Sequence, residues 1–166
     1  MGFTLVKTNV SPTPGTHGGW SKHFFYATST DADGRAAGDA DMIAFWDLHD
    51  SQIGDQFPVD LNAMAGLPEW VNHIAFDAPT RADLDRHIQR WREHGVTVLE
   101  IDHGFCTSIY TRDPDNNMVE FCHSVRDFTE AERADAERLL HEPTPPFESH
   151  QPGFTVHHPL AATAAG

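Results

Sequence analysis

The sequence predicts an α+β fold of paired βαβββ modules around a cupped mixed sheet, with the first module lacking its first strand and helix. Three observations predict it. From Trp70 the chain reads as a strand, an amphipathic helix and three further strands. Three strands precede that unit without a good helix among them, where four strands and a helix would match. Finally, Asp41-Met42-Ile43-Ala44-Phe45 aligns with Asn117-Met118-Val119-Glu120-Phe121, as an internal duplication would produce. The organisation expected is a truncated first module over 1–66, a complete module over 67–126, and a C-terminal helix and tail over 127–166.

In the first module the strands are Phe3 to Asn9, Lys22 to Thr28 and Met42 to Leu48, joined by Gly/Pro-rich and Asp/Gly-rich connections. In the second, Trp70 to Phe76 is short, apolar and partly alternating, so it reads as a strand. Thr80 can cap the following helix, with Asp83 in its acid-favouring first turn. Leu84, Ile88 and Trp91 then recur at helical spacing until Gly95 stops the run. Val96 to Ile101, Thr107 to Thr111 and Met118 to Cys122 are three more strands, the last reached through a polar turn from Asp113 to Asn117. After Arg126, Thr129 and Glu132 have the spacing of a capping box, and Pro143 ends an accessory helix. The tail from Pro143 to Gly166 is expected to wrap or to be loosely ordered, with Phe154 to His157 as a strand available for exchange.

Composition narrows the function. Of 166 residues, 39% are hydrophobic and 22% charged, which is ordinary for a globular chain, but the net charge of -14 is not. Acidic surfaces repel phosphate backbones and anionic lipid heads, and the basic residues do not cluster, so neither nucleic acid nor membrane is expected as a partner. There is no long apolar run and no secretory pattern at the start, making a cytoplasmic location the expectation. Cys106 and Cys122 suit reduced thiols and have no zinc-type spacing.

The chemistry rests on His73 and Glu120. A divalent transition ion takes imidazole and carboxylate donors converging from rigid backbone, and paired strands can aim alternate side chains into one concave surface. His73 lies on the first strand of the complete unit and Glu120 on the last, each among apolar neighbours, where an unpaired charge is costly.

The run Tyr110-Thr111-Arg112-Asp113-Pro114-Asp115-Asn116-Asn117-Met118-Val119-Glu120 resembles the ending of vicinal-oxygen-chelate modules. That group contains glyoxalase I, fosfomycin- and bleomycin-resistance proteins and extradiol ring-cleavage dioxygenases. The longer extradiol signature is matched by His103, Ile109, Tyr110, Asp113, Pro114 and Glu120. Asn116 departs from it, standing where the family usually has Gly or Pro; asparagine tolerates a left-handed turn better than other non-glycine residues.

The resemblance covers Trp70 to Ser124 well and Phe3 to Asp50 weakly. It implies that His73 and Glu120 are metal ligands, and that Tyr110 hydrogen-bonds a metal-bound catecholate while His103 steadies substrate or oxygen. The cofactor implied is iron(II), with manganese, zinc or nickel as alternatives, and the substrate is a small aromatic or another oxygen-chelating molecule. An open sheet edge left by the lost strand favours association with another subunit, so a homodimer is expected. The family's further histidine ligand lies on a strand expected to be absent here, because Met1-Gly2-Phe3 resembles the segment after the first helix of full-length relatives. His17, His23, His49, His157 and His158 are the replacements the chain offers, unless a longer natural protein carries the missing strand or another subunit supplies the ligand. Two other activities compete. A glyoxalase-like lyase or isomerase would need a duplicated glutamate where Ala44 stands, and a non-catalytic small-molecule-binding protein would not need the retained pair.

Overall fold

The computed structural model describes residues 1–13, 17–29, 41–147 and 150–161. The connections expected over 14–16 and 30–40, and the end of the tail, lie outside these residues. In chain order the elements are β1 (Thr4–Pro12), β2 (Gly19–Ala27), β3 (Met42–Asp50), α1 (Leu61–Ala65), β4 (His73–Asp77), α2 (Arg81–Glu93), β5 (Val98–Asp102), β6 (Cys106–Arg112), β7 (Met118–Ser124), α3 (Glu130–Leu140) and β8 (Gly153–His157). They form two compact units, Met1–Pro58 and Val59–Gly166.

The first unit is an antiparallel meander in the order β1-β2-β3. Its centre is aromatic: His49 stacks on Trp20 with ring centroids 3.8 Å apart, and His23 on Trp46 at 3.9 Å. Gly19 has no substitute, because a Cβ there would come within 1.9 Å of the His49 carbonyl oxygen and its φ is +109°. Ala44 is exposed on β3, opposite Phe25.

The second unit is a five-stranded mixed sheet in the order β4-β7-β6-β5-β8. β4 runs parallel to β7, as a crossover through α2 requires, and the remaining pairs are antiparallel. α2 begins with the reciprocal Thr80–Asp83 capping box and buries Leu84, Ile88 and Trp91. That stripe faces Val98, Ile109, Val119 and Phe121, which are buried on one side of the sheet. Each large apolar side chain so buried contributes about 1.5–3 kcal/mol, and this layer is the core of the unit.

Three details differ from the sequence expectation. β4 starts at His73 rather than Trp70, because the buried Asn62 side chain bonds the Glu69 and Asn72 carbonyls and the Asn72 amide, holding the preceding residues in a turn. Asn62 belongs to α1, a short helix without the length to show periodicity, capped by Asp60 and closed by Gly66 at φ 66°. The strand in the tail pairs with β5 of its own chain, extending the sheet, and is fastened by His157 Nε2 to Glu100 Oε2 at 2.7 Å. α3 carries the expected Thr129–Glu132 capping box but buries no residue. Among the described residues no helix is long and apolar enough to cross a membrane.

Candidate functional site

Register decides which side chains share a face. Tyr110 is directly opposite Glu120 in the β6–β7 ladder, and Glu120 is level with Ala75 of β4, two residues beyond His73. Side chains alternate along each strand, so His73, Glu120 and Tyr110 all project from the face that α2 leaves uncovered. Ser108 and Cys106 follow Tyr110 on that face at two-residue steps along β6. Leu99 and Ile101 join it from β5, and Phe154 and Val156 from β8.

The four residues singled out from the sequence form one unbroken polar chain. His73 Nε2 is 3.0 Å from Glu120 Oε2. The Tyr110 hydroxyl donates to Glu120 Oε1 at 3.1 Å, and His103 Nε2 lies 3.2 Å from the same hydroxyl oxygen. Since Tyr110 spends its proton on Glu120, His103 supplies the proton of its own bond. His103 is placed by the tight β5–β6 turn, where its amide donates to the Cys106 carbonyl at 2.9 Å.

The Glu120 side chain is 8% exposed and that of His73 33%, so the carboxylate is inside and the imidazole at the mouth. His73 Nδ1 is 3.0 Å from the Trp70 carbonyl oxygen, which can only accept, so Nδ1 carries the proton. The lone pair of a neutral ring then points from Nε2 at a carboxylate oxygen. Two lone pairs face to face require a cation between them, either a proton or a metal ion. At a separation of 3.0 Å, His73 Nε2 and Glu120 Oε2 are the two atoms that would hold such an ion. The turn that shortens β4 thus also fixes the histidine tautomer, a role for the Trp70 carbonyl that side-chain patterns could not announce.

Burial pushes the Tyr110 phenol up to about 12, the neighbouring Glu120 charge adding to it, so the hydroxyl keeps its proton. Burial also raises the Cys106 thiol to about 11, beside Cys122; both cysteines are free. Cys106 is therefore not a thiolate nucleophile under ordinary conditions.

Among the described residues no third His, Cys, Asp or Glu gathers with the His73–Glu120 pair. His157 lies on the α2 side of the sheet with Glu100. His17 contacts Asp50, and His49 contacts Asp47 while stacking on Trp20. His23 stacks on Trp46, and His158 offers its carbonyl to Arg92.

An open cleft of about 390 Å³ adjoins the polar chain, with Tyr110, Leu99, Met118 and Val96 in its wall together with Glu69 and Arg112. Met118 is the register partner of His73, which puts the cleft next to the donors. Asn116, at φ 67°, makes the left-handed turn into β7. Its side chain also accepts from Arg112 at 2.7 Å and donates to Asp60 at 2.5 Å, bonds a glycine could not make. The cleft residues outside the signature escaped the sequence reading; the alternation Cys106-Ser108-Tyr110 was the one available signal for the floor of the face.

The chain is similar to known proteins. Biphenyl-2,3-diol 1,2-dioxygenase 3 of Rhodococcus globerulus is 44% identical over 63 residues, covering 33% of this chain and 33% of that protein. The match therefore spans about a third of the relative's length. A solved glyoxylase/bleomycin resistance protein/dioxygenase domain from Frankia sp. EAN1pec superposes with a TM-score of 0.46 at 16% identity, over 74% of this chain and 78% of that one. The model of the Glyoxalase/Bleomycin resistance protein/Dioxygenase superfamily matches residues 1–121, well over half of the sequence. With most of its length accounted for in this way, the chain belongs to the glyoxalase/bleomycin resistance protein/dioxygenase superfamily.

Proposed function

We propose that this chain is a metal-dependent extradiol-type dioxygenase that opens the ring of a catechol-like aromatic with dioxygen. The observation that carries the reading is the continuous array His73–Glu120–Tyr110–His103 on one open sheet face beside a largely apolar cleft. A lone pair aimed at a buried carboxylate is a donor set for a cation, and two further protic groups stand within one or two hydrogen bonds of it.

His73 Nε2 and Glu120 Oε2 would hold the ion, iron(II) first and manganese, zinc or nickel as alternatives, with water or a donor from another segment or subunit completing the shell. When bound, the ion supplies Lewis acidity that favours the deprotonated catechol and open positions for small molecules. The protein side chains do the rest. Tyr110 remains protonated and offers its O–H to a substrate oxygen arriving beside Glu120. His103, 3.2 Å behind it, can give or take a proton at Nε2 as charge shifts on the substrate. Leu99 and Met118 offer the ring apolar surface in the cleft wall. The match to a biphenyl-2,3-diol dioxygenase supports a catechol substrate.

Anaerobic loading with iron(II), metal analysis and an oxygen electrode with a panel of catechols test the proposal. Stoichiometric iron with oxygen uptake and ring-cleavage absorbance is the expected result. Absence of both metal and uptake would sink it.

A further inference from the structure

The cleft beside Tyr110 contains one cation and one anion, and they face each other. Arg112 follows Tyr110 by two residues on β6, so both side chains leave the same face of the sheet. Its Nη2 is ion-paired with Glu69 Oε2 and its Nη1 donates to Asn116 Oδ1 at 2.7 Å. Glu69 reaches in from the turn before β4, where its backbone is tied down independently of its side chain, the carbonyl accepting from Asn62 at 2.8 Å. The remaining wall around Tyr110 is supplied mainly by Leu99, Met118 and Val96.

An unmasked arginine in such a place would be a ready carboxylate clamp, since the guanidinium fork matches two carboxylate oxygens. Here a glutamate already occupies part of that fork. The wider field acts in the same direction: the chain carries a net charge of -14, and Glu120 is at the bottom of the same face. We propose that the Glu69–Arg112 pair is a charge filter that restricts the cleft to catechols whose ring substituent is uncharged, Glu69 withholding the cation that an anionic substituent would use. This inference rests on the reading of the face as a catechol site. It adds the substrate's charge and the residues that select it.

The pair makes the filter reversible by one substitution. Glu69→Gln removes the masking charge with little change in shape, and its backbone bond to Asn62 does not depend on the side chain. The measurement is calorimetric binding to the full chain, loaded with iron(II) without oxygen, using 3-methylcatechol and 2,3-dihydroxybenzoate, which differ in charge at the same ring position. The native protein should prefer 3-methylcatechol at least tenfold. Glu69→Gln should bind 2,3-dihydroxybenzoate at least tenfold more tightly than the native protein does, leaving 3-methylcatechol within twofold. Adding Arg112→Gln should abolish that gain. Equal native affinities, binding of neither probe, no gain in Glu69→Gln, or a gain that survives the double substitution would each overturn the filter. Admitting oxygen to the same samples tests the chemistry separately. Charge-dependent binding without ring opening leaves the filter standing and removes the dioxygenase reading, while ring opening without charge dependence does the reverse.

Discussion

The back of the sheet carries a histidine whose titration should be visible in the stability of the whole unit. His87 of α2 lies flat on Phe121 with ring centroids 3.5 Å apart, and its Nδ1 is buried without a hydrogen-bond partner. Burial, reinforced by the Arg90 charge, lowers its pKa from 6.5 to about 4, against the opposing pull of Asp83. In the unfolded chain the ring accepts a proton near 6.5, whereas in the folded chain it resists until about 4. Between those values the unfolded state binds more protons, so stability falls as the pH is lowered through that window. From pH 7 to pH 5 the two titrations differ by about 2 kcal/mol, and solvent screening of a half-buried ring reduces this toward about 1 kcal/mol.

Replacing His87 with phenylalanine keeps the stack and removes the titration. Urea unfolding of both proteins at pH 7 and pH 5 isolates the effect, since every other ionisable group is common to them. The native protein should lose about 1–2 kcal/mol more than His87→Phe on acidification. At pH 7 the variant should be more stable by about 1 kcal/mol, because an orphaned buried nitrogen has gone. Equal acid losses in the two proteins would refute the reasoning. The stack also touches function, because Phe121 is the residue next to Glu120.

Four other outcomes follow from the geometry. Glu120→Ala and His73→Ala should each remove most iron measured after loading and desalting, about tenfold or more in affinity, and unchanged metal content would overturn the donor assignment. Tyr110→Phe should retain the iron but lower turnover about ten- to a hundredfold, with an unchanged kcat ruling out a role for the hydroxyl. Asn116→Ala should cost about 1–2 kcal/mol in urea unfolding, from a left-handed backbone and two lost side-chain bonds, whereas Asn116→Gly should recover the backbone part alone. Trp91→Ala should cost about 3–5 kcal/mol by opening the layer between α2 and the sheet, and a loss below 1 kcal/mol would mean that this layer is not the core.

The complete module was legible because its signals are local and repeated. Leu84, Ile88 and Trp91 show helical spacing, Thr80 carries capping chemistry, and a polar turn leads into Met118. Asn116 was readable for the same reason, since few residue types adopt a left-handed turn. Among the candidate site residues, His103, Tyr110 and Glu120 stood out by their spacing as a signature and His73 by its place on the first strand of the unit, but their mutual contacts depended on strand register. Register is a pairing between distant segments, and only the structure puts Tyr110 level with Glu120. What escaped was held by single side chains reaching across the sequence. Asn62 shapes the turn before His73, Glu69 pairs with Arg112, and the helix containing Asn62 is too short to display a period.

His73 and Glu120 belong to the first and last strands of the βαβββ unit, neighbours in space through the parallel β4–β7 ladder yet far apart along the chain. An ion held by both would therefore close a long loop that includes α2, β5 and β6, and could be gripped only after that loop has folded. Ligation and folding then become one equilibrium. Free metal would then raise the melting temperature in proportion to the logarithm of its excess over the dissociation constant, and a cavity cut into the distant core would weaken the apparent grip on the ion without touching a ligand. For such a molecule, metal content in a cell extract would report on the integrity of the fold as directly as on the supply of metal.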